Sequence, residues 1–401
     1  MSLSSLVEPR EHAEQEKLGN PGRRTFIKTL GVAGAAAAAS AAASVAQGPF
    51  VWAQGQTYNW RMATTWPRGL AIFHDGAERF ARIVEERSGG RLRIKVYAAG
   101  ELVPPFETFN AVSQGKVEAG HSVSFYWEEK IPAAPWFSAV PFGFNAQGIN
   151  AWMYAGGGIK LWEEVYAPFN VVPRPVGNTG VQMGGWFKRR VDSPKDLKGL
   201  KMRIGGLGAQ VLKKAGAQVM YIPGGEVLAA LESGKVDAAD WVGPVHDLQM
   251  GLYKAAKYYY YPGWHEPGST IEVLFNKKAY DGLPRDLKEI LDGVAMENNL
   301  WTLCQFESQN FKALETLVGQ LNVQLVRFPI PVLNELRKLS TQVLAEEAAK
   351  DPMVKQVNDS FRNFEKDLDN WGYISERAYY DFLAAKPETL EPWVYKDVYE
   401  F

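Results

Sequence analysis

The sequence predicts an α/β protein of two domains, on three observations. A leader takes up the first 53 of 401 residues, and the roughly 350 that remain exceed what one hydrophobic core usually serves. That remainder opens strand–helix–strand, the signature of a mostly parallel sheet covered by helices. A helix–glycine–strand unit also occurs twice, about 120 positions apart, which implies the same supersecondary unit in each of two similar domains.

The elements follow in order. Residues 1–21 are polar and are read as disordered. Arg23-Arg24 then lead Thr25-Phe26-Ile27-Lys28, an alanine-rich apolar stretch runs from Leu30 to Ala46, and Val51-Trp52-Ala53 offers a small-residue cut before Gln54. This is the layout of a twin-arginine export signal. A membrane anchor fits less well, because glycine and serine interrupt a run short of about 20 strongly apolar residues. Tyr58 to Ala63 alternates as a strand, and Ile72 to Ser88 carries Phe73, Ala77, Phe80, Ile83 and Val84 on one helical face. Gly89-Gly90 stops that helix, and Leu92 to Tyr97 alternates again. The repeated unit is Phe109 to Ala119 and Leu228 to Ala238: a short amphipathic helix, a left-handed glycine at Gly115 or Gly234, then a short buried strand. From Pro284 a helical spacing continues to about Leu321. Asn322 to Phe328 reads as a strand, Pro331 to Lys350 as a helix, and Ser375 to Ala385 as a further helical piece.

Composition excludes several function classes. A net charge of −1 offers no basic field for nucleic acid or an anionic membrane. The single Cys304 cannot form an internal disulfide, consistent with folding in a reducing cytoplasm before export. Its setting among Leu300, Leu303 and Phe306 predicts core packing. Gly205-Gly206-Leu207-Gly208 lacks the Lys-Ser/Thr of a phosphate loop and the spacing of a dinucleotide fingerprint. The sequence has no Gly-x-Ser-x-Gly elbow, no cysteine pair for zinc and no His-x-x-x-His pair. His74, His121 and His246 are read as surface or satisfied core residues. Thirteen Trp and 17 Tyr are too many for core packing alone, so some are expected to line a cavity.

Four segments are richer than structure alone requires. Gly177 to Phe187 reads as a glycine-flanked turn into a strand with Gln182 inside it, where backbone or ligand approaches closely. Arg203 sits in a strand between apolar neighbours, where an unpaired guanidinium is costly, so it needs an anionic partner: a structural carboxylate or a ligand. Asp240-Trp241 ends the second repeat where a strand meets a loop. Tyr258 to Glu266 is an aromatic run ending in a carboxylate, the composition of a small-ligand pocket.

On these segments, and on the repeated Gly-Lys-Val-Asp/Glu-Ala pattern, the chain resembles the solute receptors of tripartite ATP-independent periplasmic (TRAP) transporters. It is most similar to the branch that binds 2-oxo acids and related monocarboxylates with a metal ion. The resemblance spans 57 to about 345. It implies a periplasmic-binding-protein fold of two α/β domains, joined by long shared strands and closing as a hinge, with C-terminal helices added. The domains are expected at 54–178 (completed by about 267–310) and 179–266 (completed by about 311–345), with a helical extension at 346–401. By position, the resemblance assigns Arg203 to the solute carboxylate. Gln182, Asp240 and Glu266 become side-chain oxygen ligands of a cation, and Trp241 a backbone-carbonyl ligand beside the solute. Such a set suits Na⁺ or Ca²⁺ rather than zinc. Asp240 departs from the Glu often found there. Tyr126 is expected to cap the solute, with Gln182, Trp66 and Asn178 as further contacts. The implied protein is a periplasmic receptor, not an enzyme. Its partners are a small organic acid, the TRAP membrane permease and a second copy bound through the C-terminal helices. Two other readings stay open from the residues: a receptor of an ATP-driven importer, and an exported hydrolase or lyase using Asp240 and Glu266 as acid and base.

Overall fold

The computed structural model describes residues 56–384. The leader, the signal with its cut at Ala53, and residues 385–401 lie outside the described residues. In chain order the first half contributes β1 (Tyr58–Thr64), α1 (His74–Arg87), β2 (Leu92–Tyr97), α2 (Thr108–Ser113) and β3 (Ala119–Ser122). After them come α3 (Ala146–Tyr154), α4 (Gly158–Tyr166) and β4 (Val171–Asn178). The chain continues with β5 (Gly185–Phe187), β6 (Lys201–Arg203), α5 (Gly206–Lys214), β7 (Gln218–Met220), α6 (Val227–Glu232), β8 (Ala238–Ala239) and α7 (Pro244–Met250). Then follow β9 (Tyr258–Tyr261), β10 (Thr270–Asn276), α8 (Lys277–Asp281), α9 (Arg285–Glu315) and β11 (Gln324–Arg327). Three helices close the described chain: α10 (Ile330–Lys350), α11 (Pro352–Ile374) and α12 (Glu376–Ala384).

The strands form two sheets, ordered β2-β1-β3-β10-β4 and β11-β9-β5-β8-β6-β7. The repeat seen in the sequence occupies the same place in each. β1 pairs in parallel with β2 and β3, and β6 pairs in parallel with β7 and β8. Gly115 (φ +69°) and Gly234 (φ +75°) turn each repeat from helix to strand in the left-handed conformation that glycine adopts without a Cβ clash. The sheets are mixed rather than mostly parallel, because each borrows from elsewhere in the chain. β10 runs antiparallel to β3 and β4, and β5 runs antiparallel to β8 and β9.

The chain therefore passes between the sheets at residues 179–184 and again at 262–269. These two crossing segments are bonded to each other: Thr179 N–H donates to Ser269 O at 3.0 Å, Gln182 N–H to Glu266 O at 3.2 Å and Gly263 N–H to Gln182 O at 2.9 Å. They run so close that a Cβ on Gly263 would fall 2.1 Å from the Gln182 carbonyl oxygen. Gln182 thus lies in irregular backbone just before β5, not inside a strand as the sequence pattern predicts. The glycines around it mark the close approach of two crossing chains.

Much of the aromatic content is core. Phe137 stacks between Trp152 (5.7 Å) and Trp162 (5.2 Å) beneath the first sheet. Burying rings of this size supplies a large part of the hydrophobic driving force. In α9 the polar Asn298, Asn299 and Thr302 face inward. Asn298 donates to Val176 O at 3.0 Å, and Thr302 Oγ1 accepts from Asn178 N–H at 2.9 Å. That facing turns Cys304 outward: it is exposed, and Leu300 is 62% exposed, which corrects the expectation of core packing. At the other end Asp351 caps α11 by accepting from Met353 and Val354 N–H, and Val354, Val357 and Phe361 dock that helix on the body. Further along, Trp371, Tyr373, Tyr379, Tyr380 and Phe382 are exposed. Among the described residues no helix is long and apolar enough to cross a membrane.

Candidate functional site

Where the crossing segments pass between the sheets they line a cavity of about 20 Å³. That is room for about one water and far below the several hundred Å³ of ligand pockets, so a solute enters only when the walls part. Its walls come from both sheets: Trp66, Phe125 and Tyr126 from the first, Arg203, Asp240 and Trp241 from the second, and Gln182 and Glu266 from the crossings.

Arg203 ends β6, and its side chain is 4% exposed. Nε donates to Ile222 O at 3.1 Å, Nη1 to Asp240 O at 2.7 Å and Nη2 to the Tyr126 hydroxyl at 3.3 Å. Nη1 also reaches Asp240 Oδ2 at 3.4 Å, and the guanidinium lies 5.0 Å over the Trp241 ring. These acceptors hold the guanidinium as a rigid plane, which lowers the ordering cost of binding an anion.

Asp240 follows β8, and its backbone N–H donates to Arg203 O at 2.8 Å, so strand pairing fixes the two residues side by side. Its Oδ1 lies 2.8 Å from His265 Nε2. Burial pushes the His265 imidazole down, but Asp240 and then Glu266 push it up, and the net shift is upward. Glu266 Oε2 accepts from Gln182 Nε2 at 2.8 Å. Burial, and then the Asp240 charge, raise the Glu266 carboxyl to about 7. Each of Asp240, His265 and Glu266 offers an atom within 4.8 Å of the others.

Gln182 Nε2 also donates to Thr179 Oγ1 at 3.3 Å, yet Gln182 Oε1 is buried without a hydrogen-bond partner. A buried orphan acceptor costs roughly 1–3 kcal/mol, and this one sits in the wall that carries two carboxylates. An oxygen-only set of one amide and two carboxylates fits a hard cation. The residues that would hold it are Gln182, Asp240 and Glu266. His265 is already bonded to Asp240 and would orient that carboxylate, as outer-shell histidine–carboxylate pairs do.

The remaining predicted residues divide. Trp66 lines the cavity, with its indole N–H donating to His121 Nδ1 at 2.7 Å and its ring packed on Phe73 at 4.4 Å. Burial lowers the His121 pKa to about 3, which keeps the ring a neutral acceptor. Asn178 is not brought to the cavity: its side chain accepts from Gly180 N–H at 2.9 Å and donates to Gly268 O at 3.3 Å, tying the crossings together. Sequence reasoning missed His265, although it adjoins Glu266, and also Asp247. Buried Asp247 accepts from Trp186 Nε1 (2.8 Å), Tyr259 hydroxyl (2.6 Å) and Val242 N–H (3.4 Å), bracing the loop that carries Asp240. Burial raises its carboxyl to about 7. No spacing in the sequence announces that brace.

Known proteins are similar to this chain in sequence and fold. The family model DctP, bacterial extracellular solute-binding protein family 7, matches residues 62–351. The chain is 45% identical over 326 residues to the monocarboxylate 2-oxoacid-binding periplasmic protein of Nostoc sp. PCC 7120, covering 81% of this chain and 89% of that one. It is similar to a TRAP periplasmic solute-binding protein of Pseudoalteromonas atlantica with bound sodium and pyruvate: TM-score 0.80, 39% identity, 83% of this chain and 100% of that one. A Colwellia psychrerythraea TRAP solute-binding protein with bound calcium and pyruvate gives TM-score 0.79 at 40% identity, covering 81% and 99%. The two mixed sheets, the crossings and the match across 62–351 lead to one conclusion: the chain belongs to the DctP family of bacterial extracellular solute-binding proteins, the solute receptors of TRAP transporters.

Proposed function

We propose that this protein captures a small 2-oxo or 2-hydroxy monocarboxylate together with Na⁺ or Ca²⁺ and delivers it to a TRAP membrane permease. The observation that carries the reading is the orphaned Gln182 oxygen beside Asp240 and Glu266, in a cavity that also holds Arg203. Two cavity carboxylates and an anionic solute would place three negative charges together. At about 4 Å and an effective dielectric near 20, each like pair costs roughly 4 kcal/mol. Bound there, a hard cation supplies the positive charge that lets carboxylates and solute share the space. Arg203 receives the solute carboxylate, Tyr126, Trp66 and Trp241 enclose its body, and Gln182, Asp240, Glu266 and the Trp241 carbonyl serve the cation. The relatives' bound pyruvate with sodium or calcium favours the same pairing.

The domains assigned at 54–178 and 179–266 meet at the crossings, and capture proceeds by their closure, since a solute shifts a hinge through its differential affinity for the two states. The relatives that hold pyruvate are solute-binding proteins, which supports binding rather than acid–base turnover. Export by the twin-arginine route rests on Arg23-Arg24 and the apolar run behind them. Pairing of two copies through the C-terminal helices rests on the exposed rings of α11 and α12. Native mass spectrometry of protein purified with its solute tests solute, cation and pairing together. One unchanged acid and one cation per chain are expected. A product in place of the added acid would sink the receptor reading, and pyruvate affinity unaltered by exhaustive chelation in sodium-free buffer would sink the cation.

A further inference from the structure

We propose that Glu128 is a positioning residue for capture: held by Tyr221 and Gln210 from the opposite side of the cleft, it bridges the sheets independently of solute and helps set the equilibrium between open and closed forms. The inference rests on the capture reading above. Glu128 follows the short helical turn Ser124–Trp127 beyond β3, in the part of the chain that carries Tyr126. Its Oε1 accepts from the Tyr221 hydroxyl and, at 3.2 Å, from Gln210 Nε2 of α5. Tyr221 is fixed in turn, because its oxygen accepts from Gly206 N–H at 2.9 Å. The first sheet thus grips the start of α5 through one carboxyl. Two open clefts of about 480 and 250 Å³ flank this grip, both lined by Glu128 and Tyr221. Parting the sheets would break the bridge and return Glu128 to water.

That exchange couples closure to protons. Burial raises the Glu128 carboxyl to about 7, against the opposing hydrogen bonds of Tyr221 and Gln210. Lys213 of α5 faces it and favours the charged form, and Glu129 beside it favours the neutral one. The flanking clefts add Glu107 and Lys130 on one side and Glu347 on the other. When the cleft opens, the carboxyl returns toward its ordinary value of about 4.3. The closed form therefore holds more protons between those two values, so closure is favoured as pH falls through 7 and weakened above it. The size of the shift corresponds to roughly a tenfold or larger change in closing between pH 8 and pH 5.

Calorimetric titration of pyruvate with Ca²⁺, in two buffers of different ionisation heat, counts protons taken up on binding. Because the cation also releases protons from its own ligands, the readout is the difference: near pH 6 the wild type should take up more protons than Glu128→Gln. That variant keeps the acceptor but cannot charge, and it should bind more tightly than wild type at pH 8. Glu128→Ala should bind severalfold more weakly at pH 6. Equal proton uptake in wild type and Glu128→Gln, or wild-type affinity in Glu128→Ala, would overturn the proposal. Small-angle scattering of the solute-free protein tests it without any solute. The wild type should be more compact at pH 5.5 than at pH 8, and Glu128→Gln should be equally compact at both. The same pH response in both proteins overturns the bridge, whereas acids that fail to bind while this difference appears overturn only the functional reading.

Discussion

Gly205→Ala should weaken solute binding without harming the fold. Gly205 precedes α5 in extended backbone (φ −119°, ψ 177°), a conformation any residue adopts, so alanine brings no backbone strain. Its Cβ would nevertheless lie 2.6 Å from Phe125 Cε2 and 2.9 Å from Cδ2. Carbon atoms rest about 3.5–4.0 Å apart, so the clash is roughly 1 Å deep. Phe125 belongs to the other side of the cleft, is 6% exposed and is braced edge-on by Tyr126 at 4.9 Å. The ring has little room to retreat, and parting the sheets is the easier relief. Overpacking of this kind costs about 1–3 kcal/mol. Charged to closure, that becomes roughly a 5- to 150-fold loss of affinity. Calorimetry of pyruvate with saturating cation reads the loss, and thermal unfolding of solute-free protein should shift by far less. Gly293→Ala is the control: it lies inside α9 with nothing within 4 Å of the added carbon, and should stabilise by about 1 kcal/mol at unchanged affinity. A Gly205→Ala dissociation constant within twofold of wild type would refute the argument that Phe125 and Gly205 meet only on closure.

Three further outcomes are expected. Arg203→Ala should cost about 2–5 kcal/mol of monocarboxylate affinity, with lysine restoring part of it for want of the planar fork; an affinity within threefold of wild type would make the arginine structural. Gln182→Leu, which removes the orphan oxygen, should weaken calcium-dependent pyruvate binding by roughly tenfold or more, and an unchanged calcium titration would exclude this residue from the cation. Glu272, buried in β10, accepts from Trp127 Nε1 at 2.6 Å and the Tyr166 hydroxyl at 3.1 Å, and burial raises its carboxyl to about 8. Its contribution to stability is full below the unfolded value near 4.3 and is lost as pH rises toward 8, a change on the order of a few kcal/mol. Glu272→Gln should therefore gain melting temperature relative to wild type between pH 5 and pH 8, and parallel curves would contradict it.

Local order was legible where local physics sets it. Period-two strands, the α1 face and the two glycine-terminated repeats all follow from contacts within a few residues, and all appear in the structure. Pairing across the sheets was not legible. β4, β5, β9 and β10 are buried almost throughout, and such runs say that a strand is interior but not which strand lies beside it, so the borrowed antiparallel strands were unreadable. The same gap misplaced Gln182, whose glycine neighbours serve a crossing rather than a strand. On α9 the error came from hydrophobicity itself: Leu300 and Leu303 look like an inner stripe, yet Asn298 and Thr302 take that place because strand and helix backbone groups need their hydrogen bonds. Of the site, the charged residues stood out because a lone Arg or Glu among apolar neighbours is costly. His265 and Asp247 act through other side chains and left no such mark.

The outward turn of Cys304 has a practical consequence. It is the chain's single cysteine, and it stands on α9 between Leu303 and Glu307, the two side chains that approach Gly180 at the start of the first crossing. A maleimide dye or spin label would attach at this one position in the unaltered protein, with no competing thiol to remove. It would report from beside the segment that crosses between the two sheets, and a second cysteine placed on either sheet would test for closure on solute capture as a measured distance.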